Sequence, residues 1–158
     1  MTSPAPAIVA AAVSRGMRVA AAESLTAGML AAELGTVPGA SAVLQGGVVA
    51  YQNSVKVQVL GVSEDLLQEA GSVDSAVAEQ MAEGVRRLLY ADIGVSTTGV
   101  AGPEPHDGKP VGTVFIGIAT VAGARSQGFR FQGDRAAIRR QACAAALELL
   151  AGELAQEH

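Results

Sequence analysis

Residues Ala21 to Leu30 read AAESLTAGML, and two patterns meet inside them. Val19 to Ala22 is a run of small apolar residues, the composition of a strand buried on both faces. The run stops at Glu23-Ser24. A helix-like pattern follows from Thr26 to Leu34, stopped by Gly35 and Val37-Pro38-Gly39. A buried strand passing straight into a helix is the unit from which α/β folds are built. Here it also sets a carboxylate and a hydroxyl at the mouth of the helix. Two readings of that hydroxyl stand side by side: Ser24 or Thr26 caps the helix, or Ser24 is a nucleophile held where the helix begins.

The same alternation extends in both directions. Upstream, Pro4 to Arg15 predicts a helix closed by Gly16, and Met17 to Glu23 a strand. Downstream, Ala42 to Gln52 predicts a second strand, in which Gly46-Gly47 marks a bulge or a close approach to the backbone. Asn53 is placed to cap a short helix ended by Gly61; Ser63 opens another, ended by Gly71. Asp74 caps a longer one, whose Val77, Met81, Val85 and Leu88 form an apolar stripe. Asp92 to Val100 is a strand, and AGPEPHDGKPVG (101–112) a loop. Thr113–Val121 and Ser126–Gln132 form an antiparallel pair around Ala122-Gly123-Ala124. The last helix runs from about Asp134 to about Glu153, with Ile138, Ala142, Ala145 and Leu149 inward. This order predicts a three-layer α/β/α sandwich with a mixed, mostly parallel sheet, as one domain over 1–158.

Composition narrows the function. Apolar residues make up 49% of the 158 and charged residues 16%, which suits a packed core rather than disorder. Aromatics are 3%, so that core is built from Ala, Val, Leu and Ile. A net charge of −4 argues against direct nucleic-acid binding, so any anion site must be a local cluster. Cys143 is the only cysteine, which fits a reducing compartment. The N-terminal apolar run is broken by Pro6, ends at Ser14-Arg15 and follows no basic segment, unlike a signal peptide. No apolar run is long enough to span a membrane. A cytoplasmic protein is expected.

Familiar motifs fail. There is no G-x-G-x-x-G, no G-x-S-x-G and no S-x-x-K. The GPEPHDGKP stretch has five residues between Gly102 and Gly108 where a P-loop has four, and Pro110 stands where Ser or Thr would hold magnesium. The two histidines are His106 and the terminal His158; a Ser-His-Asp triad would need His106, which stands in a Pro-rich loop with no obvious orienting partner. Nothing has metal-ligand spacing, so neither metal nor other cofactor is expected.

Without histidine a serine needs another base, and lysine serves when burial lowers its pKa. The chain has two lysines. Lys109 lies in the Pro-rich loop; Lys56 stands between Val55 and Val57. A surface helix would carry Lys56 equally well. Tyr51 closes the second strand and suits either packing or a site. Ligands of open α/β sheets collect outside the carboxyl ends of strands. Ser24, Tyr51 and Thr97-Thr98 follow or end three of them. Arg135 and Arg139 share one face of the last helix and suit either a phosphate clamp or a solvated surface.

These residues carry a resemblance. AAESLTAG, VPGASAVLQGGVVAYQNSVKVQVLGV, MAEGVRRLLYADIGVSTTGVAGP, GKPVGTVFIGIAT and GDRAAIRRQA occur in order, from about Ala20 to about Leu150. Together they resemble the C-terminal domain of the competence/damage-inducible protein CinA, a family whose standalone members are known as the nicotinamide-nucleotide amidase PncC. The resemblance implies a homodimer, with neither metal nor cofactor, that hydrolyses nicotinamide mononucleotide to nicotinate mononucleotide and ammonia in pyridine-nucleotide recycling. It implies Ser24 as nucleophile, with Lys56 and Tyr51 as catalytic partners, and a substrate-binding set of Thr26, Gly28, Gly47, Thr98, Gly102, Arg135 and Arg139. The rival expectation is a non-catalytic nucleotide-binding or interaction module of the same family, linked to competence or DNA damage. Leu25 and Ala27 favour the rival, because they stand where the family commonly has Cys and Gly, and Ala27 is expected to crowd the anion site.

Overall fold

The small residues of the opening stretch form strand β1 (Val19–Glu23), with all five residues buried. In the computed structural model, which describes residues 2–156, β1 lies between two parallel neighbours. These are β2 (Leu44–Val49) and β3 (Ile93–Gly99). Strands β4 (Thr113–Thr120) and β5 (Gly123–Arg130) continue the sheet antiparallel to their predecessors, giving the order β2-β1-β3-β4-β5. The sheet is mixed as expected. His158 lies outside the described residues.

Alternation along β1 sorts the layers. Val19 and Ala21 face one side, where helices α1 (Ala5–Arg15), α2 (Met29–Gly35) and α6 (Arg135–Ala155) pack with Ile8, Leu30, Leu34, Ile138 and Leu150 buried. Ala20 and Ala22 face the other side. There α3 (Asn53–Gln58), α4 (Glu64–Ala70) and α5 (Ser75–Leu88) bury Leu60, Val62, Leu67, Val77, Met81 and Val85. The scarcity of aromatics has a geometric counterpart. Side chains at Gly94 and Gly117 would run into the backbone carbonyls of Ala82 and Ala78, so these glycines let α5 press against the sheet.

Several boundaries depart from expectation. The helix after β1 starts at Met29, not Thr26, because Ala27 (φ 48°) and Gly28 (φ 103°) adopt left-handed backbone that no α-helix accommodates. Neither Ser24 nor Thr26 caps it. Asn53 does not cap α3 with its side chain either; Gln52 holds that position. Leu88 ends the α5 stripe half-exposed, since helical drift carries it off the buried face. On α6 the buried line runs through Ile138, Ala142, Ala146 and Leu150, leaving Ala145 and Leu149 at its margin. No described helix is long and apolar enough to cross a membrane.

Candidate active site

At the carboxyl end of β1 the chain does not enter a helix but makes a five-residue turn, Ser24 to Gly28. Three buried polar side chains hold it. Glu23, 1% exposed, accepts at Oε1 from the Thr26 hydroxyl at 2.7 Å and the Leu30 N–H at 2.8 Å. Its Oε2 accepts from the Ala31 N–H at 3.1 Å. The carboxylate thus does the capping expected of Ser24 or Thr26, meeting two free N–H donors of α2 at the positive end of its dipole. It contacts neither Lys56 nor an arginine through any of these bonds. Because Thr26 gives its only hydroxyl proton to Glu23, Thr97 must donate to Thr26 across their 2.7 Å contact. Thr97 also accepts the Ser24 N–H, at its carbonyl (3.0 Å) and at its hydroxyl (3.3 Å).

On the opposite side of Ser24 stands Lys56, one residue past the middle of α3. It is not a surface lysine: it is 1% exposed. Its Nζ lies 3.0 Å from Ser24 Oγ, 2.8 Å from the Ala50 carbonyl and 3.1 Å from the Tyr51 carbonyl. Burial lowers its pKa from the ordinary 10.5 to about 8. The three contacts suit both protonation states. An ammonium donates to all three. A neutral amine gives its two hydrogens to the carbonyls and turns its lone pair to the serine hydroxyl, which then donates to it. A buried lysine aligned this way is able to take the proton of the serine hydroxyl.

Ser24 opens into a cleft of about 460 Å³, within the range of small-molecule sites. Its border includes Leu25, Tyr51, Asn53, Ser72, Gly102, Glu104, His106 and Arg135. Arg135 spans its mouth, donating to the Gly102 carbonyl at 2.6 Å and the Tyr51 hydroxyl at 2.7 Å. Leu25 and Ala101 both border the cleft, and their N–H groups donate to no other described residue. Among the described residues no three His, Cys, Asp or Glu side chains converge as a metal-ligand set.

The structure therefore brings Ser24, Lys56, Tyr51, Gly102 and Arg135 together. The remaining expected substrate contacts lie off the cleft border, each for a local reason. Thr26 is buried between Glu23 and Thr97. Gly28 supplies left-handed backbone ahead of α2 and faces Val49. Gly47 sits in β2 against Ala21 and Ala31, the close approach its sequence signalled. Thr98 points to the α5 side of the sheet, where its hydroxyl holds the Ser72 carbonyl at 2.7 Å. Arg139 donates to the Leu25 and Thr26 carbonyls at 2.9 and 3.2 Å, so it faces the back of the serine turn. One helical turn separates the two arginines, yet α6 meets the cleft only through its first residue. The Tyr51 hydroxyl accepts from Arg135 and bonds to neither Ser24 nor Lys56 in this structure. Ala27 is exposed and off the cleft border, so its methyl strains backbone rather than crowding a ligand. Leu25 packs into the core beside Gly99. Sequence reading missed Asn53, Ser72 and Glu104 as cleft residues; Asn53 and Glu104 follow the ends of β2 and β3, whereas Ser72, between α4 and α5, carried no such signal.

A family model described as CinA C-terminal domain matches residues 1–154. A CinA-like protein from Frankia casuarinae is 49% identical over 143 residues, covering 90% of this chain but 33% of that protein. The chain thus spans about a third of the length of that curated relative. Solved structures of similar size align almost throughout. A competence-damaged protein (CinA) superfamily protein from Klebsiella pneumoniae superposes with a TM-score of 0.92 at 35% identity, over 96% of this chain and 95% of that one. A competence/damage inducible protein from Agrobacterium tumefaciens superposes at 0.91 and 35%, over 96% and 93%.

Proposed function

The chain belongs to the CinA C-terminal domain family, and from that premise we propose that it is an amidohydrolase converting nicotinamide mononucleotide to nicotinate mononucleotide and ammonia. One observation carries the reading: a fully buried lysine 3.0 Å from a serine at the end of a parallel strand, at the floor of a cleft. A binding module has no need of that pair. Burying a lysine without a carboxylate partner is costly, and the cost is explained if the neutral amine is the working form.

Ser24 Oγ attacks the carboxamide carbon while its proton passes directly to Lys56 Nζ. The carbonyl oxygen becomes an oxyanion, met by backbone N–H groups of the turn. Lys56 then gives its proton to the amide nitrogen, the C–N bond breaks and ammonia leaves. Water attacks the resulting ester, again with Lys56 as base, and the carboxylate product and free Ser24 are released. One oxyanion donor is worth about 3–4 kcal/mol in such reactions. Arg135 exchanges its Tyr51 contact for the substrate phosphate at the cleft mouth. A cytoplasmic homodimer in pyridine-nucleotide recycling is part of the same proposal.

The test is a coupled ammonia assay over nicotinamide mononucleotide, nicotinamide riboside and nicotinamide. Turnover of the mononucleotide, falling with loss of phosphate, is expected. Binding of all three without ammonia release returns the chain to the non-catalytic class.

A further inference from the structure

Arg139 is left without a part in this chemistry, although its guanidinium is committed to the turn that carries Ser24. A trans peptide points its N–H opposite its C=O, so the bonds around Arg139 can be followed through the backbone. Arg139 Nη2 donates to the Thr26 carbonyl at 3.2 Å. The other end of that peptide is the Ala27 N–H, which donates to the Ser24 carbonyl at 3.1 Å. The other end of the next peptide is the Leu25 N–H. That group donates to no other described residue and belongs to a residue on the cleft border beside Ser24. Meanwhile Arg139 Nε holds the Leu25 carbonyl at 2.9 Å, so the intervening peptide cannot rotate. A full positive charge stands at the head of a chain of two peptides, and its tail is the N–H adjacent to the nucleophile.

We propose that Arg139 is a positioning residue that polarises and orients the Leu25 N–H as the oxyanion donor, acting through the Thr26–Ala27 and Ser24–Leu25 peptides. Linked hydrogen bonds strengthen one another, and a charged donor strengthens the first link most. This rests on Ser24 and Lys56 being the reacting pair. It separates the two arginines of α6 by function: Arg135 faces the ligand, whereas Arg139 faces the back of the turn. The effect is specific to the transition state, because the substrate carbonyl carries little charge before attack.

The experiment uses the full chain with Arg139→Gln and Arg139→Lys, kinetics on nicotinamide mononucleotide, and binding of pyridine-3-boronic acid. In the adduct the Ser24 Oγ–B bond forms, the hydroxyl proton passes to Lys56, and boron becomes a tetrahedral anion whose oxygen lies where the oxyanion would. Arg139→Gln should lower kcat about 10–100-fold with KM changed less than about threefold. Boronate affinity should fall in parallel with kcat. Arg139→Lys keeps the charge but not the fork, and should fall between the two. If wild-type protein releases no ammonia yet boronate affinity drops in Arg139→Gln, the nucleotide reading fails and the relay stands. Boronate affinity unchanged in folded variants overturns the relay. So does a KM rise confined to phosphate-bearing substrate, which would make Arg139 a direct ligand. Failure of both variants to fold, seen by circular dichroism, or absence of boronate binding by wild-type protein, overturns it too.

Discussion

The two walls of the cleft are built differently. The Ser24–Gly28 wall is buried at Glu23, Ser24, Thr26, Thr97 and Lys56, and its side-chain hydrogen bonds run between strands and helices. The facing wall, Gly102 to Lys109, is mostly exposed. It is tied back by the Ser72 N–H to Asp107 Oδ2 at 3.3 Å, by Lys109 Nζ to the Val73 carbonyl at 2.8 Å and by Arg135 to the Gly102 carbonyl at 2.6 Å. A reacting pair tolerates little displacement, so it belongs on strands and packed turns; recognition tolerates more and lies on a loop. The two lysines repeat the contrast, Lys56 buried against Ser24 and Lys109 serving as a tether.

If the rigid wall holds the chemistry, the largest losses must come from it. Ser24→Ala and Lys56→Ala should each lower kcat by at least about 10³-fold, and the double variant should be little worse, as expected of groups that act as one unit. Steady-state ammonia release measures this. Near-normal turnover in Lys56→Ala would break the comparison at its centre.

The pH response sharpens the same point. With its pKa near 8, Lys56 is mostly protonated at neutral pH. kcat/KM should therefore rise with pH, about tenfold per unit below pH 8, and level off above it. Stability carries the matching sign. Folding lowers this pKa, so between about 8 and 10.5 the unfolded chain binds more protons than the folded one. The cost of burying the charge is full below about pH 8, on the order of 3 kcal/mol, and is relieved as pH rises toward 10.5. Denaturation midpoints of wild type should climb across that window relative to Lys56→Met. Parallel curves would show that the lysine titrates alike in both states.

Between the walls lies Arg135. Its loss should cost roughly 10–100-fold in kcat/KM on nicotinamide mononucleotide and much less on the riboside, which has no phosphate to hold. Equal losses on the two substrates would make Arg135 only a strap between Tyr51 and Gly102.

The smallest effect is on stability alone. Ala27 holds φ 48° with a Cβ, so Ala27→Gly should stabilise the protein by about 0.5–1 kcal/mol, read from chemical denaturation. A loss of stability would mean the turn needs the methyl more than relaxed backbone.

The sequence by itself determined the alternation of elements and the layers, and it singled out Ser24 and Lys56 as the candidate pair. A buried strand reads as a run of small apolar residues, and in a chain with two lysines and one histidine before its terminus few groups can serve as base. It did not determine which polar residues face the ligand. Thr97 and Thr98 are adjacent, yet the pleat sends one to the serine turn and the other to Ser72. Arg135 and Arg139 share a helix face, yet only the first residue of α6 reaches the cleft. Glu23 caps α2, because left-handed backbone at Ala27 and Gly28 delays that helix until its Leu30 and Ala31 N–H groups meet the carboxylate. Spacing along a chain fixes which side chains share a face. Which face meets the ligand is set by how strands and helices pack, and only the tertiary structure contains that.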